Sequence, residues 1–195
     1  MSRLGTITRR TLLIGGVAVA GGLAVGYYAY SRPWPNPLKR GLGEDEATFN
    51  AYVKIGPDNA ITIIAPRAEM GQGVSTTLAA LVAEELDVEL DAIKVEHGPT
   101  SSAYYNTAAL EETVPFAFFN DSSVAEMMRG SMDVLGTMVG VQTTGGSSSV
   151  RDGYVKMRKA GAAARIMLTA AAAKRWGVPA GEIRTANAIL THEAS

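Results

Sequence analysis

Apolar and polar positions divide the chain into one long apolar run and a body of short alternating segments. Residues 11–30 carry no charge, whereas residues 49–55 and 60–65 are rich in β-branched and aromatic side chains. Short runs of this kind are typical of strands. They are joined by Gly56-Pro57-Asp58-Asn59, whose residues favour a tight turn. A β-hairpin is therefore predicted over 49–65.

The pattern then changes to helical spacing. We predict a helix that Ser75 caps and that ends near Asp87, because apolar residues recur every three or four positions at Leu78, Leu81, Val82 and Leu86. Ile93 to His97 follows as a short strand. A long Ala-rich segment from about Ser149 to Trp176 predicts a second helix, and residues 183–191 predict a further strand or half of a hairpin.

Residues 103–144 form an excursion, a segment inserted between these two helices, in which apolar and polar positions alternate less regularly. They include a Met-rich segment, Val124 to Val139, that predicts a helix, and aromatics at Tyr104, Tyr105, Phe116, Phe118 and Phe119. Methionines fill irregular gaps in cores, so Met127, Met128 and Met132 are expected inside. The elements together predict an α+β fold: a β-hairpin, packed helices, a returning strand and a long Ala-rich helix, preceded by an apolar N-terminal helix.

Charge separates the N-terminal part from the body. Residues 1–40 carry six basic and no acidic side chains, and the remainder has 12 basic and 19 acidic ones. Arg9-Arg10 before the apolar run resembles a twin-arginine export signal, the alternative being an ordinary membrane anchor. At about 1.5 Å per residue, twenty helical residues reach across a bilayer. We therefore expect a periplasmic body, possible attachment to the inner membrane through residues 11–30, and three segments: signal or anchor (1–31), linker (32–48) and body (49–195).

Some kinds of site are excluded or disfavoured by composition. Without cysteine, this chain forms no disulfide, thiolate zinc site or iron–sulfur cluster. His97 and His192 lack the spacing of metal ligands, and His97 is expected as a polar residue at a strand end. No basic stripe with interleaved aromatics occurs, so no nucleic-acid partner is expected.

Two glycine-bearing loops precede the predicted helices and are the candidate site. In Glu69-Met70-Gly71-Gln72-Gly73 the glycines permit positive φ or close ligand approach, and the Gln72 carboxamide offers a donor and an acceptor. Thr143-Thr144-Gly145-Gly146-Ser147-Ser148-Ser149 places hydroxyls before a helix N-terminus, which favours an anion such as phosphate. Each loop alone is equally consistent with a simple turn or cap. Together they suit the two ends of an extended phosphate-bearing cofactor.

Both loops, the helix through Val82-Ala83-Glu84-Glu85-Leu86 and the strand Ile93-Lys94-Val95-Glu96-His97 resemble the molybdopterin-binding subunit of the xanthine dehydrogenase and aldehyde oxidase family. The resemblance covers residues 47–195. The leader and the excursion are most similar to the exported branch typified by the isoquinoline 1-oxidoreductase beta subunit.

The resemblance implies specific roles for the loop residues. The backbone of Gly71 and Gly73 would line the pterin or metal end, and Gln72 would hydrogen-bond an oxo ligand of molybdenum without ligating the metal. Residues that would hold phosphate of the cytosine dinucleotide form of the cofactor are Gly145, Gly146, Ser147, Ser148 and Ser149. Implied partners are a small 2Fe-2S electron-transfer subunit and the remaining molybdopterin-domain segment.

Family members also use a catalytic glutamate from a motif near their C-terminus, and this chain has no such motif, so its catalytic base is unknown. Glu69, Glu84, Glu85 and Glu96 are expected to be structural. Arg151, Arg158 and Arg165 recur every seven residues, either as a basic track for phosphates or as a solvated helix face. The chain is expected to be the front portion of a longer subunit.

The leading interpretation is a molybdenum hydroxylase subunit that oxidises an aldehyde or nitrogen heterocycle with oxygen from water. One alternative is a truncated, non-catalytic remnant or partner-binding module. A third is a nucleotide-binding domain that is unconnected with molybdenum.

Overall fold

The computed structural model describes residues 9–193. The chain divides into two compact units, and the boundary follows Pro33. The first unit contains helix α1, Arg9–Ser31. In the described part of the chain no helix meets the length and apolarity needed to span a membrane, so the predicted anchor is not confirmed. Residues 1–8, where the predicted export signal begins, lie outside the described residues.

The second unit starts at Trp34 and contains a four-stranded mixed sheet. Its strands are β1, Ala47–Thr48; β2, Val53–Ile55; β3, Ile61–Ala65; and β4, Ile93–His97. They lie in the order β1-β2-β3-β4, antiparallel except for the parallel pair β3 and β4. Helix α2, Val74–Leu86, connects these two parallel strands, as a parallel pair requires a crossover.

The rest of the body is mainly helical. Helix α3 is Ala108–Glu111, α4 is Ser123–Val139 and α5 is Ser148–Trp176. A separate antiparallel hairpin follows, formed by β5, Ile183–Ala186, and β6, Ile189–His192.

The core lies where α2 is packed between the sheet and α5. One apolar cluster joins Val53 and Ile63 of the sheet, Leu78 and Val82 of α2, and Met157 of α5. All five side chains are at most 1% exposed.

Close packing of α2 on α5 depends on glycine in the longer helix. A Cβ built on Gly161 would lie 2.5 Å from the carbonyl oxygen of Val82, and one on Gly153 would lie 2.5 Å from the side chain of Leu78. A side chain at either position would push the helices apart.

The predicted α+β elements are confirmed, with differences at their ends. The hairpin strands are shorter than predicted, because residues 49–52 bend before β2. Residues 34–48, predicted as linker, include β1 and group with the body. The Met-rich and Ala-rich helices form as expected, and the last segment is a complete hairpin. Met127 is 67% exposed, so its expected place in the core was wrong.

Candidate functional site

The first glycine loop is a tight turn between β3 and α2 that depends on left-handed backbone conformations. Gly71 has φ of 91° and Gly73 has φ of 77°. Only glycine takes such values at little energetic expense. The prediction that these glycines use positive φ is confirmed, and both leave the space beside the loop open because a Cβ at either would touch nothing within 4 Å.

Glu69 fastens this loop to the start of α2. Its carboxylate accepts hydrogen bonds from the backbone N–H groups of Gly71 at 2.8 Å, Gly73 at 3.0 Å and Ser75 at 3.0 Å. These donors, the Ser75 N–H foremost, hold the pKa of the Glu69 carboxyl below its ordinary value. Glu69 therefore has the structural role expected of it.

The predicted Ser75 cap was wrong. The N-cap residue of α2 is Gly73, and it offers no side-chain acceptor. An acidic group near a helix N-terminus satisfies free N–H groups and complements the helix dipole. Glu69, folded back from the preceding loop, supplies that group in place of a serine hydroxyl.

The Gln72 carboxamide is folded against its own loop. Its Oε1 accepts from the Met70 N–H at 2.6 Å, and its Nε2 donates to the Ala68 carbonyl at 2.8 Å. These contacts fix the orientation of the amide plane. The bond to Ala68 uses one of the two Nε2 hydrogens, which leaves the second for a ligand.

The second loop opens onto the N-terminus of α5. Ser147 is the N-cap residue, with φ of 52°, and Gly146 also lies in the left-handed region with φ of 57°. A Cβ on Gly146 would meet only the carboxylate of Glu112, which ends a flexible side chain that can move away. The turn therefore favours glycine at 146 because of its left-handed backbone.

Ser148 differs from its neighbours because it is fully buried. Its hydroxyl donates to the Gly145 carbonyl at 2.6 Å and accepts from Nδ2 of Asn106 at 2.8 Å. A hydroxyl held in this way cannot reach a phosphate outside. The expected phosphate role of the Ser148 side chain is thus incompatible with this arrangement, whereas Ser147 and Ser149 face open space.

The fold brings the two loops together. The Ala68 N–H donates to Oγ1 of Thr144 at 2.9 Å, across 76 positions of sequence. Both loops line one cleft of about 380 Å³, and its walls are formed by Met70, Gln72, Val74, Thr77, Thr144, Gly145, Ser147, Ser149 and Val150. The loops thus share a site, rather than standing apart.

The chemistry of this cleft suits an anion or a neutral polar ligand. None of the side chains that form its walls is charged. Val74 and Thr77 belong to the first turn of α2, and Ser149 and Val150 to the first turn of α5. Two helix N-termini therefore open on the same space. Glu69 already caps the start of α2, whereas the start of α5 has no side-chain cap and offers free N–H groups and a positive dipole end.

A buried polar network lies behind the loops, and sequence reasoning missed it. Arg67, directly before the first loop, pairs with Asp152 of α5 at 2.8 Å. The Asp152 carboxylate also accepts from the Thr107 N–H at 2.9 Å and from Nζ of Lys156 at 2.7 Å. Burial lowers the pKa of Lys156, and the nearby Asp152 opposes that shift. The sequence did offer a signal for this network, because a charged residue lies close to each glycine loop: Arg67 before the first and Asp152 after the second.

The three evenly spaced arginines of α5 do not form a basic track. Arg151 donates to the Ala108 carbonyl at 2.7 Å, Arg158 pairs with Glu85, and Arg165 lies 3.9 Å from Asp87. None of the three lines the cleft. They bind acids and carbonyls of neighbouring elements, which supports the interpretation as a solvated helix face.

Other residues considered from the sequence also have structural surroundings. Glu96 pairs with Lys54 and Lys94, and the hydrogen bond from Lys94 lowers its pKa. His97 is exposed on β4, an edge strand, as expected. Over residues 9–193 no group of three or more potential ligands is arranged to hold a metal ion.

Comparison with known proteins identifies the kind of domain to which the first glycine loop belongs. Residues 15–110 match the family of the molybdopterin cofactor-binding domain. This stretch includes the first glycine loop and ends before the second.

Two longer proteins are similar over most of the chain. The isoquinoline 1-oxidoreductase subunit beta of Brevundimonas diminuta is 30% identical over 146 residues, 75% of this chain and 15% of that protein. The membrane-bound aldehyde dehydrogenase (pyrroloquinoline-quinone) of Gluconacetobacter polyoxogenes is 26% identical over 156 residues, 80% of this chain and 16% of that protein. The chain thus spans about one sixth of the length of these relatives. The domain match and the two relatives support a molybdopterin-binding subunit of the xanthine dehydrogenase and aldehyde oxidase family.

Proposed function

We propose that the cleft between the two glycine loops binds part of a molybdopterin cofactor, and that the cofactor carries molybdenum in its cytosine dinucleotide form. The observation that carries this proposal is the shared cleft itself. Two loops that precede helices beginning 74 positions apart, at Val74 and Ser148, line one space. The Ala68 N–H donates a hydrogen bond to Thr144 between them.

The residues present fit the phosphate of such a group. Phosphate needs several N–H or O–H donors, and helix N-termini supply them together with a favourable dipole. The backbone at the start of α5 and the hydroxyls of Ser147 and Ser149 are the donors we assign to it. The open space at Gly71 and Gly73 lets a ligand reach the main chain.

Gln72 suits the neutral, electron-rich end of the same ligand. Its amide is held by Met70 and Ala68 before any ligand arrives, so little side-chain entropy is lost on binding. Its remaining N–H donates a hydrogen bond without adding a charge that would compete for the metal. We therefore assign Gln72 the role of orienting the metal end of the cofactor. It does so by donating a hydrogen bond and does not itself ligate the metal.

The reaction we propose is the oxidation of an aldehyde or a nitrogen heterocycle. When bound, the cofactor supplies two-electron redox chemistry at molybdenum with oxygen derived from water. The two relatives are named as an isoquinoline oxidoreductase subunit and an aldehyde dehydrogenase, which supports these substrate classes. Because the chain spans about one sixth of their length, we assign the remaining walls and the general base to other segments, and electron transfer to a separate 2Fe-2S subunit.

We further propose that the protein is exported in the folded state by the twin-arginine route and acts in the periplasm. Paired Arg9 and Arg10 before the apolar residues 11–30 support this proposal. Fusion of residues 1–48 to a reporter that fluoresces only if folded before export tests it. Periplasmic fluorescence that disappears with Arg9→Lys and Arg10→Lys is expected, and cytoplasmic retention of the unchanged fusion would exclude it.

The cofactor assignment is tested by measuring the molybdenum and nucleotide content of the purified protein. The protein is produced in cells that make the molybdenum cofactor and is purified, and its molybdenum and acid-released nucleotide are then quantified. We expect molybdenum and cytidine monophosphate in equal amounts, both reduced when Ser147 and Ser149 are replaced by alanine. Replacement of Ser122, the N-cap of α4, is the control and should leave both unchanged. A purified protein with nucleotide but no molybdenum would support the nucleotide-only alternative.

A further inference from the structure

Asn106 is a buried amide behind the second glycine loop. The residue is 1% exposed and belongs to the excursion, two positions before α3 begins at Ala108. Buried polar side chains are nearly always hydrogen-bonded, so the partners of this amide indicate which part of the fold it supports. Those partners lie in the second loop and in the first turn of α3.

The Asn106 side chain bonds the second loop at both of its ends. Nδ2 donates to the Thr143 carbonyl at 3.1 Å, where the loop begins, and to Oγ of Ser148 at 2.8 Å, where it ends. Ser148 in turn donates to the Gly145 carbonyl at 2.6 Å. Both hydrogens of the amide are used in these bonds. One side chain therefore holds the two ends of the loop at a fixed separation.

Further contacts fix Asn106 itself. Its Oδ1 accepts from the Ala109 N–H at 3.2 Å, and its backbone N–H donates to the Val141 carbonyl at 2.9 Å. The Thr143 carbonyl can only accept and the Ala109 N–H can only donate, so one orientation of the amide plane satisfies every contact. Asn106 is thus a rigid support for the loop.

The stretch between the two bonds from Asn106 is the part of the loop that reaches the cleft. Thr144, Gly145 and Ser147 line it. Ser147 has φ of 52°, a left-handed conformation that is uncommon for a residue with a Cβ and persists only where its surroundings impose it. The bonds from Asn106 on either side supply this restraint. The loop therefore has its shape before a ligand arrives.

The turn that carries Asn106 also supports the first loop. The N–H of Thr107, the next residue, donates to Oδ1 of Asp152 at 2.9 Å. Asp152 pairs with Arg67, which directly precedes the first loop. Two adjacent residues of the excursion thus hold the second loop directly and the first loop through a buried ion pair.

We propose that Asn106 is a positioning residue for the phosphate end of the cofactor, an inference that rests on the proposed function. Asn106 is buried and is not among the residues that line the cleft, so it acts through the second loop. It keeps the hydroxyls and N–H groups at the start of α5 oriented before the ligand binds. Donors that are already ordered lose less conformational entropy on binding, so loss of Asn106 should accelerate release of the nucleotide.

Asn106→Ser tests this role. A serine hydroxyl can still accept from the Ala109 N–H, but it is too short to bond Thr143 and Ser148 together. Protein is isolated with its cofactor, and release of nucleotide during dialysis is followed. We expect release about tenfold faster or more, with an unchanged electron paramagnetic resonance signal from the molybdenum that remains. In cofactor-free protein, amide exchange at Gly145 and Gly146 should also accelerate. Asn106→Asp, which keeps the shape but cannot donate, is a second variant with the same expectation.

Leu86→Ala separates positioning from a general loss of stability. Leu86 is a buried core residue at the end of α2 that is remote from the loops. Its truncation should lower the free energy of unfolding in urea at least as much as Asn106→Ser does, yet leave nucleotide release unchanged.

Equally fast release from the Leu86 and Asn106 variants, or unchanged release from the Asn106 variants, would overturn the positioning role and leave the proposed cofactor intact. An altered molybdenum signal in Asn106→Ser would also overturn it, because the effect would then extend to the metal end. Unchanged protein isolated without nucleotide would instead remove the proposed function, and this inference with it.

Discussion

Arg67 and Asp152 form a buried ion pair that links the two glycine loops from behind. Nη2 of Arg67 lies 2.8 Å from Oδ2 of Asp152, and the two side chains are 3% and 0% exposed. Arg67 directly precedes the first loop and Asp152 lies in the second turn of α5, just after the second loop. Arg67 also donates to the carbonyls of Tyr104 and Tyr105, so the pair ties the excursion to both loops.

Replacing Asp152 with alanine should strongly destabilise the body. Arg67 and Lys156 would keep their charges without the carboxylate, and an unpaired buried charge costs about 3–5 kcal/mol. Urea unfolding followed by circular dichroism measures the loss. Glu193, whose contact with Arg184 is exposed on both sides, is the control, and Glu193→Ala should change the free energy of unfolding by about 1 kcal/mol or less. Similar effects of the two replacements would refute a dominant role for the buried pair.

The first loop should loosen in acid because Glu69 must be ionised to hold it. Its pKa is lowered in the folded state, chiefly by the Ser75 N–H, so its contribution is complete above the ordinary glutamate pKa of about 4.3. That contribution is lost as the pH falls through the lower folded pKa. Amide exchange at Gly71, Gly73 and Ser75, corrected for intrinsic rates, should accelerate over that range. Glu69→Gln should remove the pH dependence, and a dependence that persists in this variant would assign it to another group.

Gly161 should not tolerate alanine, although alanine is the better helix former by about 1 kcal/mol. The added Cβ would meet the Val82 carbonyl oxygen at 2.5 Å, and overpacking of this kind typically costs about 1–3 kcal/mol. Thermal or urea unfolding reveals the difference. Gly130 of α4 is the control, because a Cβ there meets nothing within 4 Å. Gly130→Ala should raise stability by about 0.5–1 kcal/mol, and the same sign at both positions would contradict the packing described.

Ser148 and Ser149 should behave differently although they are neighbours. Ser148→Ala removes a buried hydroxyl that bonds Asn106 and Gly145, which should lower the free energy of unfolding by about 1–3 kcal/mol. Ser149→Ala should change stability by about 0.5 kcal/mol or less and should reduce the molybdenum and nucleotide that co-purify with the protein. Unfolding and composition are measured on the same preparations. The reverse pattern would show that the phosphate contact has been assigned to the wrong serine.

Gln72 should matter to the metal end of the ligand more than to its retention. In Gln72→Ala the donors at the start of α5 remain, so nucleotide content should change little. The loss of the amide donor should alter the electron paramagnetic resonance signal of molybdenum in protein isolated with its cofactor. Gln142, which bonds the Pro66 carbonyl from outside the cleft, provides the control. An unchanged signal in Gln72→Ala would remove the proposed role.

Most helices and strands could be predicted from the sequence, because they depend on the pattern of residues within a short stretch of chain. The strand Ile93–His97 and the end of the long helix at Trp176 lie where the sequence predicted them, since turn residues and helix stops act over a few positions. The cap of α2 was misjudged for a related reason. A serine near a helix start is usually the best acceptor, but Glu69 reaches the same N–H groups from the loop and occupies that position.

The roles of individual side chains were harder to predict from the sequence. Three adjacent serines look equivalent in sequence, yet Ser148 is buried and Ser147 and Ser149 line the cleft, because the turn into α5 directs successive side chains to different sides. Met127 and Met128 were both expected in the core because methionine commonly fills gaps there. Which face of an amphipathic helix turns inward depends on the elements around it, and these are distant in sequence.

By itself the sequence determined the order of strands and helices, the glycine turns before α2 and α5, and the likeness to molybdopterin-binding subunits, because each of these depends on residues close together in the chain. Only the tertiary structure decided that the two loops share one cleft, that Arg67 and Asp152 support it, and that α4 presents apolar residues outward. Those features arise when the packing of α2 between the sheet and α5 brings together residues that are as many as 110 positions apart.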